Sequence, residues 1–241
     1  MVFVPVKYAY LLLSVSMLAV WLALLLLHRQ GRRRQVLLSA VFSLAGPIGE
    51  LFYIPDYWHP VTVLSVHVFD RYVSIEDFIF SFAIMGIVSS LPAWLVHPRP
   101  AGFSELPSGV SILKMIGVLA AVAAFSLVLW FAGVNSIFAT SIAMLVAAIV
   151  LLTNSRRLLL ARISVTGGIA MLLLMFAVYW IAFVLVSDSD RILQATWSLY
   201  GTSLGLQFLR VPLSELVWAF CFGSFFSALF ASDSVGATKE A

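Results

Sequence analysis

The chain has 241 residues, of which 62% are hydrophobic and 10% charged, with a formal net charge of +3 and a mean hydropathy of +1.06. A soluble domain carries about one quarter charged residues, so water is excluded as the main solvent and a polytopic membrane protein is predicted. The basic balance, with a pI near 9.2, comes from arginines in short loops between apolar runs, which argues against nucleic acid as a partner.

A spanning helix takes roughly 20 apolar residues, and seven runs qualify: 8–27, 35–54, 74–96, 111–132, 135–153, 158–186 and 211–231. The first follows Lys7, has the length of a full span and lacks a small-x-small cleavage site, so it reads as an anchor rather than a signal peptide. It ends in His28-Arg29-Gln30-Gly31-Arg32-Arg33-Arg34, the densest basic cluster. The positive-inside rule places this cluster in the cytoplasm and the N-terminus outside. Binding of anionic lipid is a lesser reading of the same arginines.

The second run carries Gly46-Pro47-Ile48-Gly49-Glu50 near its outer end. Pro47 removes a backbone hydrogen bond and predicts a kink, with Glu50 just below the outer surface. Tyr53, Tyr57 and Trp58 suit an aromatic belt at the membrane interface, and Pro55 and Pro60 suit a loop. Residues 61–73 read equally as a short outer hairpin or as a loop.

The third run opens Arg71-Tyr72-Val73-Ser74-Ile75-Glu76-Asp77-Phe78-Ile79-Phe80, with two adjacent acids at its mouth. Ser74 and Asp77 form a capping-box pattern, and acids at a helix N-terminus are favoured by the dipole, so a purely structural reading competes with a functional one. The run ends near His97-Pro98-Arg99-Pro100, followed by a polar inner linker over 101–109. Gly133-Val134-Asn135 leaves almost no loop between runs four and five, which predicts an antiparallel hairpin with Asn135 as an N-cap.

Run six would be about 43 Å long at 1.5 Å per residue, more than the hydrocarbon core of roughly 30 Å requires. It must tilt, protrude or break at Gly167-Gly168. The last run opens Arg210-Val211-Pro212-Leu213-Ser214-Glu215-Leu216-Val217-Trp218, with Pro212 suited to a first helical turn. Arg71 and Arg210 stand ready to neutralise the nearby acids. Residues 232–241 read as a disordered cytoplasmic tail. The single Cys221 excludes an intrachain disulfide, and one thiol does not make a metal site.

A basic inner turn, a helix, an outer loop with tryptophan and an acid-led helix occur in that order in 29–96 and again in 156–231. The predicted fold is therefore all-α. It is a single seven-helix membrane domain over 1–231, with two parallel three-helix repeats, 8–96 and 135–231, joined by a linker helix at 111–132.

Intramembrane carboxyls usually face a site or a partner. A carboxyl in apolar surroundings tends to keep its proton, which suits a general acid, and a nearby aromatic face can stabilise the cation formed by protonating an alkene. Such chemistry on a hydrocarbon dissolved in the bilayer needs no metal, nucleotide or redox cofactor. Glu76, four residues from Phe80 and on the same helical face, is the preferred proton donor. Asp77 and Glu215 are the candidate bases or charge stabilisers and Glu50 a supporting acid. Phe80, Trp218, Trp58 and Tyr57 are candidate substrate-binding residues.

At these residues the chain resembles the lycopene cyclase domain family, flavin-independent membrane cyclases of carotenoid synthesis found as heterodimers or fused tandem repeats. Their helices open with a Pro-x-Glu-Glu/Asp signature. Ser74-Ile75-Glu76-Asp77 matches it with serine for proline, and Pro212-Leu213-Ser214-Glu215 matches it with serine for the first acid. The resemblance implies proton-initiated cyclisation of the linear end groups of a carotenoid or related isoprenoid, with membrane lipid as surroundings and a homo-oligomer or partner subunit as an open question. Serine at 214 keeps two further readings open, a carotenoid hydratase and a non-catalytic carotenoid- or lipid-binding protein. A retinal protein is excluded, since Lys7, Lys114 and Lys239 are the only lysines and none lies in the seventh run. A transporter or channel would carry polar groups at mid-membrane, whereas the acids here cluster at one end.

Overall fold

An apolar run that cannot give its backbone groups to water satisfies them internally as a helix. A computed structural model, which describes residues 4–68, 71–96, 107–155, 158–185 and 188–236, is accordingly mostly helical. Its helices are α1 (Ala9–Leu27), α2 (Arg32–Phe42), α3 (Ala45–Tyr53), α4 (Ile75–Leu95), α5 (Gly109–Phe131), α6 (Ser136–Ser155), α7 (Leu158–Tyr179), α8 (Ser189–Thr196) and α9 (Leu213–Gly236). Among the described residues, six helices are long and apolar enough to cross a membrane, and α2 with α3 makes a seventh if the bent pair is one span.

The second apolar run is broken rather than gently kinked. Helices α2 and α3 meet at 42°, and the break lies at Ser43 and Leu44, one turn before Pro47. Proline has no N–H to offer the carbonyl four residues back, and its ring crowds that carbonyl, so the disruption falls at Ser43. The ladder resumes at once, with Ile48 N–H donating to the Leu44 carbonyl at 3.2 Å.

The sixth run does not break at its glycines. Helix α7 passes through Gly167 and Gly168 and continues as a π-helical segment, Trp180–Leu185. Both glycines face α9: a Cβ on Gly167 would lie 2.0 Å from Ser227 Oγ, and one on Gly168 would lie 2.2 Å from Ser224 Oγ. Ser164 Oγ donates to the Ser224 carbonyl at 2.9 Å across the same seam. Small residues let the two backbones approach, which is how helices associate where the solvent is as apolar as the side chains. The α2–α3 pair meets α4 in the same way. Gly46 N–H donates to Ser81 Oγ at 3.0 Å, and a Cβ on Gly86 would lie 2.3 Å from Ser39 Oγ.

Helix α4 is thus flanked by α1 and α2, and α9 by α6 and α7, while α4 also touches both α7 and α9. Helix α5 leans chiefly on α6. The two are joined by the tight turn expected at Gly133, and Asn135 Oδ1 accepts from Ile137 N–H at 3.3 Å, as an N-cap does.

Two hairpins mark what we call the upper end of the bundle. Strands β1 (Ser65–Val68) and β2 (Arg71–Ser74) pair antiparallel, so the region 61–73 holds a hairpin. Strands β3 (Gln207–Phe208) and β4 (Val211–Pro212) pair likewise, with Leu209 and Arg210 at positive φ in the turn. Each hairpin runs directly into an acid-led helix. Pro212 belongs to β4, so the last helix begins one residue after it.

At the lower end Arg34 is only 2% exposed and gives Nη2 to the Phe230 carbonyl, so this arginine is packed inside the bundle. Helix α9 continues to Gly236, which makes 232–236 helical where a disordered tail was expected. Residues 237–241 and the linker segment 97–106 lie outside the described residues.

Candidate functional site

Helix α4 begins with a complete capping box. Ser74 Oγ accepts from Asp77 N–H at 3.2 Å, and Asp77 Oδ2 accepts from Ser74 N–H at 2.6 Å. The other carboxylate oxygen, Oδ1, accepts from the Tyr10 hydroxyl at 2.8 Å. Asp77 therefore caps its helix and still faces inward, where Asp77, Phe80, Ser81 and Ile84 line one cavity. That spacing of three, four and seven residues is a single helical stripe.

Glu76, the acid preferred from the sequence as the proton donor, does not line the cavity. It is fully buried, but its Oε1 accepts from Val63 N–H at 2.7 Å under the first hairpin. Neighbouring helical positions point about 100° apart, and spacings of both three and four residues put an acid near Phe80. The chain segment before β1 covers Glu76 and leaves the cavity face to Asp77.

Helix α9 repeats the stripe with Glu215, Trp218, Phe222 and Phe226. Glu215 Oε1 accepts from the Tyr57 hydroxyl at 2.6 Å and from Trp197 Nε1 at 2.8 Å, and Oε2 accepts from the Tyr179 hydroxyl at 2.8 Å. Three donors from three separate segments hold this one carboxylate. The Tyr57 hydroxyl also lies 3.0 Å from Ser214 Oγ, so Ser214 joins the same network. Burial, and then the Glu215 carboxylate beside it, push the Tyr57 phenol well above its usual range, which keeps its proton in place for donation. Arg210 instead lies 3.9 Å from Asp190, both side chains exposed, so hydrogen-bond donors rather than this arginine compensate Glu215. The Arg71 side chain lies outside the described ones.

Glu50 is supplied by α3, and its Oε2 is buried with no hydrogen-bond partner. An unpaired buried oxygen of this kind is costly unless it carries, or meets, a proton. Tyr57 and Trp58 are 1% and 6% exposed, which places them in the core and not in an interfacial belt. Trp58 pairs with Trp197 through an isolated antiparallel bridge, with ring centroids 4.7 Å apart, and this joins the two upper loops over the site. Trp218 Nε1 donates to the Tyr53 hydroxyl, which donates to Thr140 Oγ1, each at 3.0 Å.

The cavity has a volume of about 820 Å³. Glu76 excepted, every candidate catalytic or substrate-binding residue named from the sequence lines it, with Glu50, Asp77 and Glu215 as its acids. The stripe on α9 from Glu215 to Phe226 extends about 16 Å, so the acids occupy one end of an aromatic slot. Sequence reading missed Tyr10, Tyr179 and Trp197, the donors that hold the carboxylates. Each sits in an apolar run or a loop with no spacing signal tying it to an acid far away in the chain.

The fold and the cavity define a class: a mostly helical protein, with helices of membrane-spanning length and apolarity around an acid-capped hydrophobic slot. No family model, curated protein or solved structure matches the chain.

Proposed function

We propose that this is a seven-span membrane protein that carries out proton-initiated cyclisation, an isomerisation, of a carotenoid or related isoprenoid in the bilayer, as the resemblance to lycopene cyclases implies. On this reading the upper end faces outward with the N-terminus, and the C-terminus is cytoplasmic. The helices form two parallel units, α1 to α4 and α6 to α9, joined by α5. Supporting that arrangement, each unit has a hairpin feeding an acid-led helix, and that helix meets its glycine- or serine-bearing neighbour along a seam of small residues.

The observation that carries the proposal is that Glu50, Asp77 and Glu215 line one aromatic, apolar cavity. Their partners divide the roles. Each oxygen of Asp77 and Glu215 accepts a hydrogen bond, which holds these side chains in place, whereas Glu50 has an unpartnered oxygen able to hold and deliver a proton. The proton adds to one carbon of the terminal double bond, and the neighbouring carbon becomes the cation. A second double bond of the same chain gives its π pair to that carbon and closes the ring. The Glu50 carboxylate takes back a proton from a carbon beside the new cation, which restores a double bond, so mass is unchanged and the acid is ready for the next turn. The faces of Phe80 and Trp218 and the acceptor oxygens of Asp77 and Glu215 lower the energy of the cation while it lasts.

Non-catalytic binding of a carotenoid is the second reading, favoured by Ser214 at the position of the family's first acid and by its engagement with Tyr57. Expression in a lycopene-accumulating bacterial host separates the two. Ring-bearing products support the enzyme, a hydrated product supports a hydratase, and unchanged lycopene that co-purifies supports binding alone.

A further inference from the structure

The cavity is closed above and below but not at its side. At its upper rim, Trp130 Nε1 and Ser136 N–H both donate to Asp56 Oδ2, at 3.1 and 3.0 Å, and the rings of Phe52 and Trp130 lie 5.6 Å apart. This clamp fixes the top of α5 to the chain that follows α3. At the floor, Phe42 of α2 packs against Phe230 of α9 with ring centroids 5.4 Å apart. Between clamp and floor, Leu44 and Ile48 on one wall and Ile116 and Leu127 on the other line the cavity while remaining 57%, 67%, 46% and 42% exposed. Residues that both line a cavity and face outward mark its mouth. The mouth lies between α3 and α5, at mid-height on the apolar flank. None of the described residues lining the cavity is Lys, Arg or His, so an anionic headgroup would find no counter-charge inside.

We propose that the cavity loads sideways from the bilayer through the gap between α3 and α5, and that what passes is an uncharged linear hydrocarbon chain. This rests on the proposed carotenoid reading for the choice of ligand, but the route is a separate claim. The break at Ser43 and Leu44 sits at the foot of the mouth, where it lets α3 lean away from α5 without disturbing the α2–α4 seam. Lipids with anionic headgroups are excluded by the acids at the closed end and by the lack of a cation among the described lining residues.

The route is tested by blocking the mouth. Cys221, buried in α9 away from the cavity lining, is replaced by Cys221→Ala. A single cysteine is then placed at the mouth by Ile48→Cys or, on the opposite wall, Ile116→Cys. Each protein is reconstituted in lipid nanodiscs and mixed with lycopene-bearing vesicles, and uptake is read from the pigment absorbance of the re-isolated discs. Attachment of pyrenyl maleimide before mixing is expected to cut uptake at least fivefold at either position, and attachment after loading to slow release. The same label on Leu113→Cys, exposed on α5 outside the cavity lining, leaves both unchanged. Uptake at the unmodified rate by both labelled mouth variants overturns the lateral route. If the unlabelled protein takes up no lycopene, the inference and the carotenoid reading fall together. Uptake blocked at the mouth with no product formed in the expression host keeps the inference and removes the catalytic reading.

Discussion

The Tyr57 hydroxyl donates to Glu215 Oε1 at 2.6 Å across 158 residues of chain, and so ties the loop after α3 to the first turn of α9. This contact lies at the closed end of the cavity. Removing it by Tyr57→Phe is expected to cost about 1–3 kcal/mol, read as a lower melting temperature in detergent. Glu215→Leu, which strands the hydroxyls of Tyr57 and Tyr179 and the indole N–H of Trp197, is expected to cost more than Tyr57→Phe.

The acids make distinct predictions. Glu50→Gln removes the proton proposed to start the reaction while keeping the side chain's size, so conversion in the expression host is expected to fall at least about a hundredfold while co-purified lycopene stays within twofold. Glu76→Gln keeps an oxygen able to accept from Val63 N–H and faces away from the cavity. Conversion is expected to persist, and loss of activity here with Glu50→Gln still active would reverse the assignment.

Two glycines report on close packing by contrast. A Cβ at Gly167 would meet Ser227 Oγ at 2.0 Å and the Gly223 carbonyl at 2.8 Å, whereas one at Gly117 on α5 meets nothing within 4 Å. Gly167→Val is expected to force α7 off α9 and to abolish the monodisperse peak on size exclusion. Gly117→Ala is expected to stabilise by roughly 0.5–1 kcal/mol, the usual helix-interior penalty of glycine.

Straightening the broken span should move Glu50. Pro47→Ala restores an N–H for the Ser43 carbonyl and removes the ring that crowds it, so the 42° bend between α2 and α3 is expected to decrease. Spin labels on exposed positions of the two helices read that change as a longer separation. Conversion should fall with it even though Pro47 itself does not line the cavity.

Seven spans with the upper end outside can be checked in intact cells. In a Cys221→Ala background, a cysteine replacing Gly133 in the α5–α6 turn is expected to react with a membrane-impermeant maleimide from outside. One replacing Arg33 is expected to react only after permeabilisation, and the opposite pattern would invert the proposed orientation.

Much of this architecture is local enough to be written in the chain. Helix starts at Ser74 and Asn135 are legible because a cap is satisfied within three residues. The apolar runs are legible because their length alone answers the need to satisfy the backbone without water. Pro47 announced a disruption, yet its location at Ser43 follows from the carbonyl it fails to reach. The choice between Glu76 and Asp77 was not legible, since both stand at a helical spacing from Phe80. Gly167 and Gly168 read as a weak point, and the tertiary packing uses them as a contact surface.

By itself, the sequence determined the apolar helical character, the positions of the helix caps and the acids that open α4 and α9. Those properties depend on groups within a turn or two of one another. Only the tertiary structure decided that Glu50, Asp77 and Glu215 share a cavity, that Tyr10, Tyr57, Tyr179 and Trp197 hold two of those acids, and that the cavity opens between α3 and α5. The reason is physical: a buried carboxylate draws its hydrogen bonds from whichever donors packing brings near it, and those donors carry no mark in the chain that pairs them with an acid 67 or 158 residues away.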